Sequence, residues 1–154
     1  MKKLLIAAAV AALATGSASA QTSVNIPLSG TLAKSCTISA FLNGPFDALD
    51  LTSTNVQGAE SLTTSCNYDG ANQVTFTSQN NGVLKSGNNT LAYEFGIPSA
   101  NIPLAGLTAP RSVTYGSGAP AGSNFTRSMV VRLPAAATIA GTYTDTIVAT
   151  VTPN

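Results

Sequence analysis

Apolar and polar side chains alternate along much of this chain, and the first such segment follows the initial twenty residues. In "QTSVNIPLSGTLAKSC", residues 21–36, polar or turn-forming residues separate positions that are apolar or small. Those positions are Val24, Ile26, Leu28, Gly30 and Leu32. A period of two predicts a β-strand with one apolar row of side chains. The pattern therefore predicts a strand that is buried against a partner.

The remainder of the chain is rich in Thr and Val, and Gly, Pro and Asn interrupt it at short intervals. This pattern is typical of an all-β sandwich or barrel. The turn residues "NYDGAN" predict a hairpin between strands at 60–67 and 72–78. The other strands that we expect are 30–40, 90–96, 124–133 and 142–152, with short edge strands near 102–104 and 112–115.

The first twenty residues have the features of a secretory signal peptide. Lysines at positions 2 and 3 are followed by the apolar run "LLIAAAVAALA" and by an Ala-Ser-Ala cleavage sequence at 18–20. The run is too short to span a bilayer and no second one follows, so we do not expect an integral membrane protein. Cleavage before Gln21 would leave one exported domain.

The charge content of the chain is low, with 7 basic and 6 acidic residues that together make up 8% of the sequence. No basic patch is present in the sequence, which argues against binding to nucleic acid. Soluble proteins usually have about a quarter of their residues charged. A neutral surface rich in Thr, Ser and Asn favours packing against copies of the chain or a matrix, and a secreted domain with an uncharged surface is the alternative.

Cys36 and Cys66 are the two cysteines of the chain. Disulfides form and persist in exported proteins, so the compartment predicts a structural disulfide between them. Closing a loop of about thirty residues stabilises the folded state by on the order of 3–4 kcal/mol on the chain-entropy model. A catalytic or redox thiol is the alternative.

Residues suited to catalysis or cofactor binding are few. The chain has no histidine, which removes Ser-His-Asp and Cys-His catalysis and most zinc sites. Asp47 and Asp50 could form a carboxylate pair, but a strand would place them on opposite faces. The loop "GSGAPAG", residues 116–122, lacks the lysine of a phosphate-binding loop. We therefore predict no enzymatic activity, no cofactor and no metal site.

The end of the chain carries the most specific motif. In "AGTYTDTIVATVTPN", residues 140–154, a Gly-x-Tyr-x-Asp-x-hydrophobic pattern is followed by a further apolar position. The residues of this motif are Gly141, Tyr143, Asp145, Ile147 and Val151. Together with the alternating N-terminal segment and the two cysteines, the motif resembles the closing signature of the archaic chaperone–usher pilins, the family grouped with spore coat protein U.

The resemblance implies an incomplete immunoglobulin-like β-sandwich of six strands. Its missing last strand would leave an apolar groove between the first and last strands, bordered by the motif at 141–151. Residues 21–33 would be an extension that fills the groove of a neighbouring subunit, and residues 34–154 would be the domain. The donor-strand residues expected to enter that groove are Val24, Ile26, Leu28, Gly30 and Leu32.

The resemblance also implies partners and a location. A periplasmic chaperone would first fill the groove, and at an outer-membrane usher the extension of the next subunit would replace it. The product would be a head-to-tail fibre on the bacterial surface that serves adhesion or biofilm formation. Pro27 departs from this scheme, because proline cannot donate a hydrogen bond to a neighbouring strand.

The alternative function is a self-contained secreted β-sandwich that does not polymerise, such as a coat, matrix or carbohydrate-binding protein. Residues 21–33 would then pair within their own domain. Carbohydrate sites favour exposed aromatic rings, although rings also serve to pack cores and turns. The candidate rings are Tyr68, Tyr93, Tyr115, Phe41 and Phe46.

Overall fold

The computed structural model describes residues 22–41, 44–116 and 118–154. The signal peptide expected at 1–20 lies outside these ranges. The described chain divides between Leu32 and Ala33 into an N-terminal segment, residues 22–32, and a domain, residues 33–154. The N-terminal segment contains no helix or strand. Within the described ranges, no helix has the length and apolar character needed to cross a membrane.

The regular secondary structure in the described part of the domain is β-strand and two short 3-10 turns, Pro45–Asp47 and Pro98–Ala100. The strands in chain order are β1 (Cys36–Phe41), β2 (Val56–Cys66), β3 (Asn72–Ser78), β4 (Val83–Ser86), β5 (Asn89–Ala92), β6 (Glu94–Ile97), β7 (Ile102–Gly106), β8 (Arg111–Tyr115), β9 (Asn124–Arg132) and β10 (Ile147–Pro153).

The strands form two sheets and a separate hairpin. One sheet has the order β1-β2-β9-β6-β7, the other has the order β10-β3-β8, and β4 pairs with β5. All of these pairings are antiparallel. The prediction of an incomplete all-β sandwich is confirmed, but the described ranges contain ten strands and not the six that the family resemblance implied.

The core lies between the two sheets because their strands alternate inward apolar and outward polar residues. In β3, Val74 and Phe76 are fully buried, and Phe76 packs against Phe95 of β6 with a ring-centroid distance of 5.0 Å. The buried apolar side chains are Leu62, Cys66, Val74, Phe76, Leu84, Leu91, Tyr93, Phe95, Ile97, Ile102, Leu107, Val113, Tyr115, Met129, Val131 and Leu133.

The predicted hairpin between 60–67 and 72–78 is wrong, although both segments are strands. β2 pairs with β1 and β9, whereas β3 pairs with β10 and β8. The turn between them, in which Gly70 has a φ of +121°, carries the chain from one sheet to the other. Each strand can therefore bury its apolar face against the opposite sheet.

Other predicted strands differ from the structure mainly at their ends. The segment 30–40 becomes a strand only at Cys36, and 142–152 only at Ile147. The segment 90–96 is divided at Tyr93 between β5 and β6, which belong to different sheets. The short strands expected near 102–104 and 112–115 are present as β7 and β8, and both lie at sheet edges.

Candidate functional site

The first and last strands of the domain lie beside each other but belong to different sheets. β1 is an edge of the five-stranded sheet and β10 is an edge of the three-stranded sheet. In the described ranges no strand pairs with the free side of either one. An unpaired strand edge presents a row of backbone donors and acceptors to which another strand can add.

A cavity of about 410 Å³ lies between these two edges. Ala40 of β1 is exposed, and Ile147 and Ala149 of β10 are half-buried, so the cavity opens to solvent along both strands. We call this cavity the groove. The residues that line it are Ala40, Phe46, Asp47, Leu49, Leu62, Phe76, Leu84, Tyr93, Phe95, Met129, Val131, Asp145, Thr146, Ile147 and Ala149. All but three of these are apolar or aromatic.

The wall contributed by β10 follows from the alternation of its sequence. Ile147, Ala149 and Val151 are half-buried against the core. The residues between them are exposed, as the two-residue period of a strand requires. β10 pairs with β3 on its other side along its entire length, so this wall is held without any strand in the groove.

One end of the groove is fixed by the carboxylate of Asp145. Its Oδ2 accepts hydrogen bonds from Ser78 Oγ at 2.6 Å and from the Tyr93 hydroxyl at 2.7 Å. Its Oδ1 accepts from the backbone N–H groups of Asn80 at 3.0 Å and Thr146 at 2.7 Å. Burial raises the pKa of the Tyr93 phenol well above its usual value, and the hydrogen bond to Asp145 adds to this rise.

The C-terminal motif contributes only part of its residues to the groove. Asp145 and Ile147 line it, and Val151 packs against the core further along β10. Tyr143 is half-buried, and its hydroxyl donates to the carbonyl of Ile139 at 3.1 Å. The remaining motif residue, Gly141, lies against the Ser86 side chain, where an added Cβ would meet Ser86 Cβ at 3.2 Å.

The disulfide between Cys36 and Cys66 is present, and its two residues are direct partners in the β1–β2 ladder. Cys36 is the first residue of β1 and Cys66 the last residue of β2. The bond therefore secures one end of the strand that forms the groove edge. Within the described ranges no cysteine is free.

The expected donor-strand residues are highly exposed in the N-terminal segment. The exposed fractions are 75% for Val24, 76% for Ile26, 92% for Leu28 and 83% for Leu32. A Cβ added at Gly30 would have no heavy atom within 4 Å. Burial of these exposed aliphatic side chains would be strongly favourable in free energy.

The segment between β1 and β2 supplies groove residues that the sequence analysis did not assign. Phe46 and Leu49 line the groove, and with Leu51 they pack against the core. The signal was the spacing of apolar residues at 46, 49 and 51 in a stretch broken by proline and aspartate. This spacing did not predict that the segment lines the groove, because the position of the groove depends on the order of the strands in the sheets.

No group of three or more side chains that could hold a metal ion occurs in the described ranges. Asp47 ends a 3-10 turn at the groove. Asp50 accepts hydrogen bonds from the Thr52 hydroxyl at 2.7 Å and the Thr52 N–H at 2.9 Å, which lower the pKa of its carboxyl. This is a local turn interaction.

Most of the aromatic candidates for a carbohydrate site are buried or packed against other side chains. Tyr93 and Tyr115 are buried in the core, and Phe46 packs against it. Tyr68 is half-buried beneath the Lys34 ammonium, which lies 4.5 Å from its ring centroid. Phe41, at the end of β1, is 65% exposed. Among these five candidates Phe41 alone is exposed, and Phe46 and Tyr93 line the groove.

The chain belongs to the Spore Coat Protein U domain family, whose model matches residues 20–150. The family expected from the sequence is therefore confirmed. No curated protein matches the chain.

The fold is similar to that of a solved structure, the CsuC–CsuE chaperone–tip adhesion subunit pre-assembly complex from the archaic chaperone–usher Csu pili of Acinetobacter baumannii. The match to a chain of that complex has a TM-score of 0.50 and 22% sequence identity. It covers 79% of this chain and 40% of that chain. This chain thus spans less than half the length of the one it matches, and the likeness concerns the fold.

Proposed function

We propose that this protein is a structural subunit of a bacterial surface pilus, assembled by donor-strand complementation on the chaperone–usher pathway. The observation that carries the proposal is the pair of unpaired edges, β1 and β10, on either side of an apolar groove. A strand inserted between them would pair with both edges and cover the groove. The likeness of the fold to one chain of the chaperone–adhesion subunit complex and the membership of the family support the same function.

The occupant of the groove in the fibre is the N-terminal segment of a second copy or of a related subunit. Its alternating side chains match the pleat of a strand whose one face points into the groove. Burying four Val, Ile or Leu side chains contributes roughly 6–12 kcal/mol before ordering costs, at about 1.5–3 kcal/mol each. The contact is heterologous, so it propagates as an open fibre.

Pro27 is compatible with this arrangement at the loss of one hydrogen bond. Consecutive residues of a strand direct their backbone groups to opposite neighbours. Pro27 therefore removes one donor toward one of the two edges, while the neighbouring residues Ile26 and Leu28 keep their bonds to the other edge. The side chains of Ile26 and Leu28 remain on the face that enters the groove.

The partners follow from the need to protect the groove before assembly. An exposed apolar groove with two open edges promotes aggregation. A periplasmic chaperone would cover it during export, and an outer-membrane usher would exchange the chaperone for the next subunit. The assembled fibre would stand on the cell surface and serve adhesion or biofilm formation. The role is structural and needs no catalytic residue.

Two variants with complementary defects test the proposal. Replacing Ile26 and Leu28 by Asp disables the donor segment and leaves the groove intact. Ala149→Phe fills the groove and leaves the donor segment intact, and Thr150→Phe on the exposed face of the same strand is its matched control. Size-exclusion chromatography with light scattering measures the assembly state of the purified exported proteins.

The proposal predicts that neither defective protein polymerises alone and that an equimolar mixture yields heterodimers, since one groove and one donor remain. Thr150→Phe should polymerise like the wild type. Polymers from either defective protein, or a wild type that stays monomeric at high concentration, would contradict donor-strand assembly. The monomeric outcome would favour a self-contained secreted β-sandwich.

A further inference from the structure

The first residues of the domain, Ala33–Ser35, are held in place although they belong to no strand. The side chain of Asn67 accepts a hydrogen bond from the Ser35 N–H at 2.8 Å and donates one to the Ala33 carbonyl at 2.9 Å. The Asn67 backbone N–H donates to the Ser35 carbonyl at 3.0 Å. Three hydrogen bonds from one residue thus fix the backbone on both sides of Lys34.

Lys34 connects this attachment to the end of β10. Its ammonium lies 4.5 Å from the ring centroid of Tyr68, within the range of a cation–π interaction, and donates to the main-chain oxygen of Asn154 at 2.5 Å. The Tyr68 hydroxyl accepts from the Asn154 N–H at 3.0 Å and donates to the Ala71 carbonyl at 2.9 Å. We call the set Lys34, Asn67, Tyr68 and Asn154 the exit clamp.

The exit clamp lies next to the disulfide of the domain. Asn67 directly follows Cys66, which is bonded to Cys36 at the start of β1. The clamp therefore links the base of the N-terminal segment to the disulfide and to β10, one edge of the groove. Donor-strand insertion alone does not require such a link, because a donor segment could equally extend from a free linker.

We propose that the exit clamp fixes the point at which the N-terminal segment leaves the domain and so stiffens the joint with the copy of this chain that receives the segment. Asn67 and Tyr68 are positioning residues in this account, and the partner is a second copy of the chain. The inference rests on the proposed function, because the joint exists only in the fibre.

The length of the segment gives the clamp its effect. Leu32 is the last of the donor-strand residues and directly precedes Ala33. A donor strand that extends to Leu32 therefore leaves almost no free chain between the receiving groove and the clamp. Release of Ala33–Ser35 would add three flexible residues to this connection, and a longer flexible connection samples more orientations.

Electron micrographs of purified fibres provide the test, through the persistence length of the fibre. The variants are Asn67→Ala, which removes both side-chain hydrogen bonds of Asn67, and Lys34→Gln, which removes the cation. Asn55→Ala, at an exposed position in the turn before β2, is the matched control. We expect fibres in all four proteins, a persistence length reduced at least two-fold by Asn67→Ala, a smaller reduction by Lys34→Gln, and no change in the control.

Hydrogen exchange on the folded monomer tests the exit clamp independently of the proposed function as a pilus subunit. The Ser35 amide should exchange at least ten-fold more slowly in the wild type than in Asn67→Ala, whether or not fibres form. Absence of fibres in the wild type would overturn the proposed function. Fibres of unchanged stiffness in both clamp variants, unprotected Ser35 in the wild type, or a folded Asn67→Ala protein that forms no fibres would each overturn the clamp.

Discussion

The Tyr93 hydroxyl donates a 2.7 Å hydrogen bond to Asp145, and both residues line one end of the groove. Tyr93 lies between β5 and β6, whereas Asp145 lies just before β10. The bond therefore joins the segment that leads into the last strand to the opposite side of the sandwich. It fixes the position at which β10 begins and so helps to shape the groove before any strand occupies it.

Asp145→Asn should destabilise the domain by roughly 1.5–3 kcal/mol, because hydrogen bonds to a charged group are worth about that much in folded proteins. The carboxylate accepts four such bonds, and an amide can replace only some of them. Urea unfolding measures the change. Asp47→Asn, at a groove residue that is exposed, controls for loss of charge, and an equal effect of both variants would refute this role of Asp145.

Tyr93→Phe and Tyr115→Phe should differ in their effect on stability. Tyr93 loses its bond to Asp145, which should cost about 1.5–3 kcal/mol. The buried Tyr115 hydroxyl has no hydrogen-bond partner among the described residues, so its removal should be neutral or stabilising. Thermal unfolding of the two variants checks this, and a reversed order of stability would show that the assigned partners are wrong.

The free energy of unfolding should fall as the pH rises above about 10. Burial raises the pKa of Tyr93, and it raises the pKa of Tyr115 from 10.0 to about 12. Since the folded-state values are higher, the stabilising contribution is complete below the unfolded pKa and is lost as pH rises toward the folded pKa. Urea titrations between pH 8 and 11.5 should show a shallower fall in each Phe variant, and parallel curves would contradict the assignment.

Gly141→Ala should destabilise the domain by up to about 1 kcal/mol, the lower end of the cost of overpacking, because the site is exposed. The new Cβ would meet Ser86 Cβ at 3.2 Å and the Ser86 hydroxyl at a shorter distance. Ser86→Ala removes the hydroxyl and should restore part of the loss. A double-mutant cycle by urea unfolding measures the coupling, and strictly additive effects would exclude the contact as the cause.

Replacing both Cys36 and Cys66 by Ala should lower the free energy of unfolding by about 3–4 kcal/mol on the chain-entropy model. The bond closes a loop with a sequence separation of 30 and joins direct ladder partners. We also expect the amide hydrogens of β1 to exchange faster than those of β3, since β1, unlike β3, loses a covalent link. Equal acceleration in the two strands would count against a local role at the groove edge.

The sequence predicted the strands better than their pairing. In β3 and β9, long alternation with buried inward residues made the elements recognisable. The pairing of β2 with β1 and β9 was not predictable from the turn at 67–71, because neighbours in a sheet need not be neighbours in the chain. The alternation of the sequence did not indicate that β10 begins only at Ile147. Just before that residue, the backbone N–H groups of Asn80 and Thr146 donate to the side chain of Asp145 and not to a neighbouring strand.

The groove was expected between the first and last strands only through the family resemblance. Its β10 wall, at Ile147 and Ala149, follows the alternation of the last strand. Its other residues, such as Phe46 and Leu49, are brought there by a loop between two strands. The exit clamp was not predictable, because Asn67 meets Ala33 and Ser35, and Asn154 meets Lys34, only through the fold.

The most direct measurement is an unheated, non-reducing denaturing gel of the exported protein beside a variant that lacks residues 22–32. If donor strands join the subunits, the polymers should resist the detergent until they are boiled, because each subunit would complete the fold of its neighbour. The account predicts a ladder of oligomers that collapses to monomer on boiling and is absent from the truncated variant. A monomer in both unheated lanes would contradict it and would show that residues 22–32 complete no other subunit.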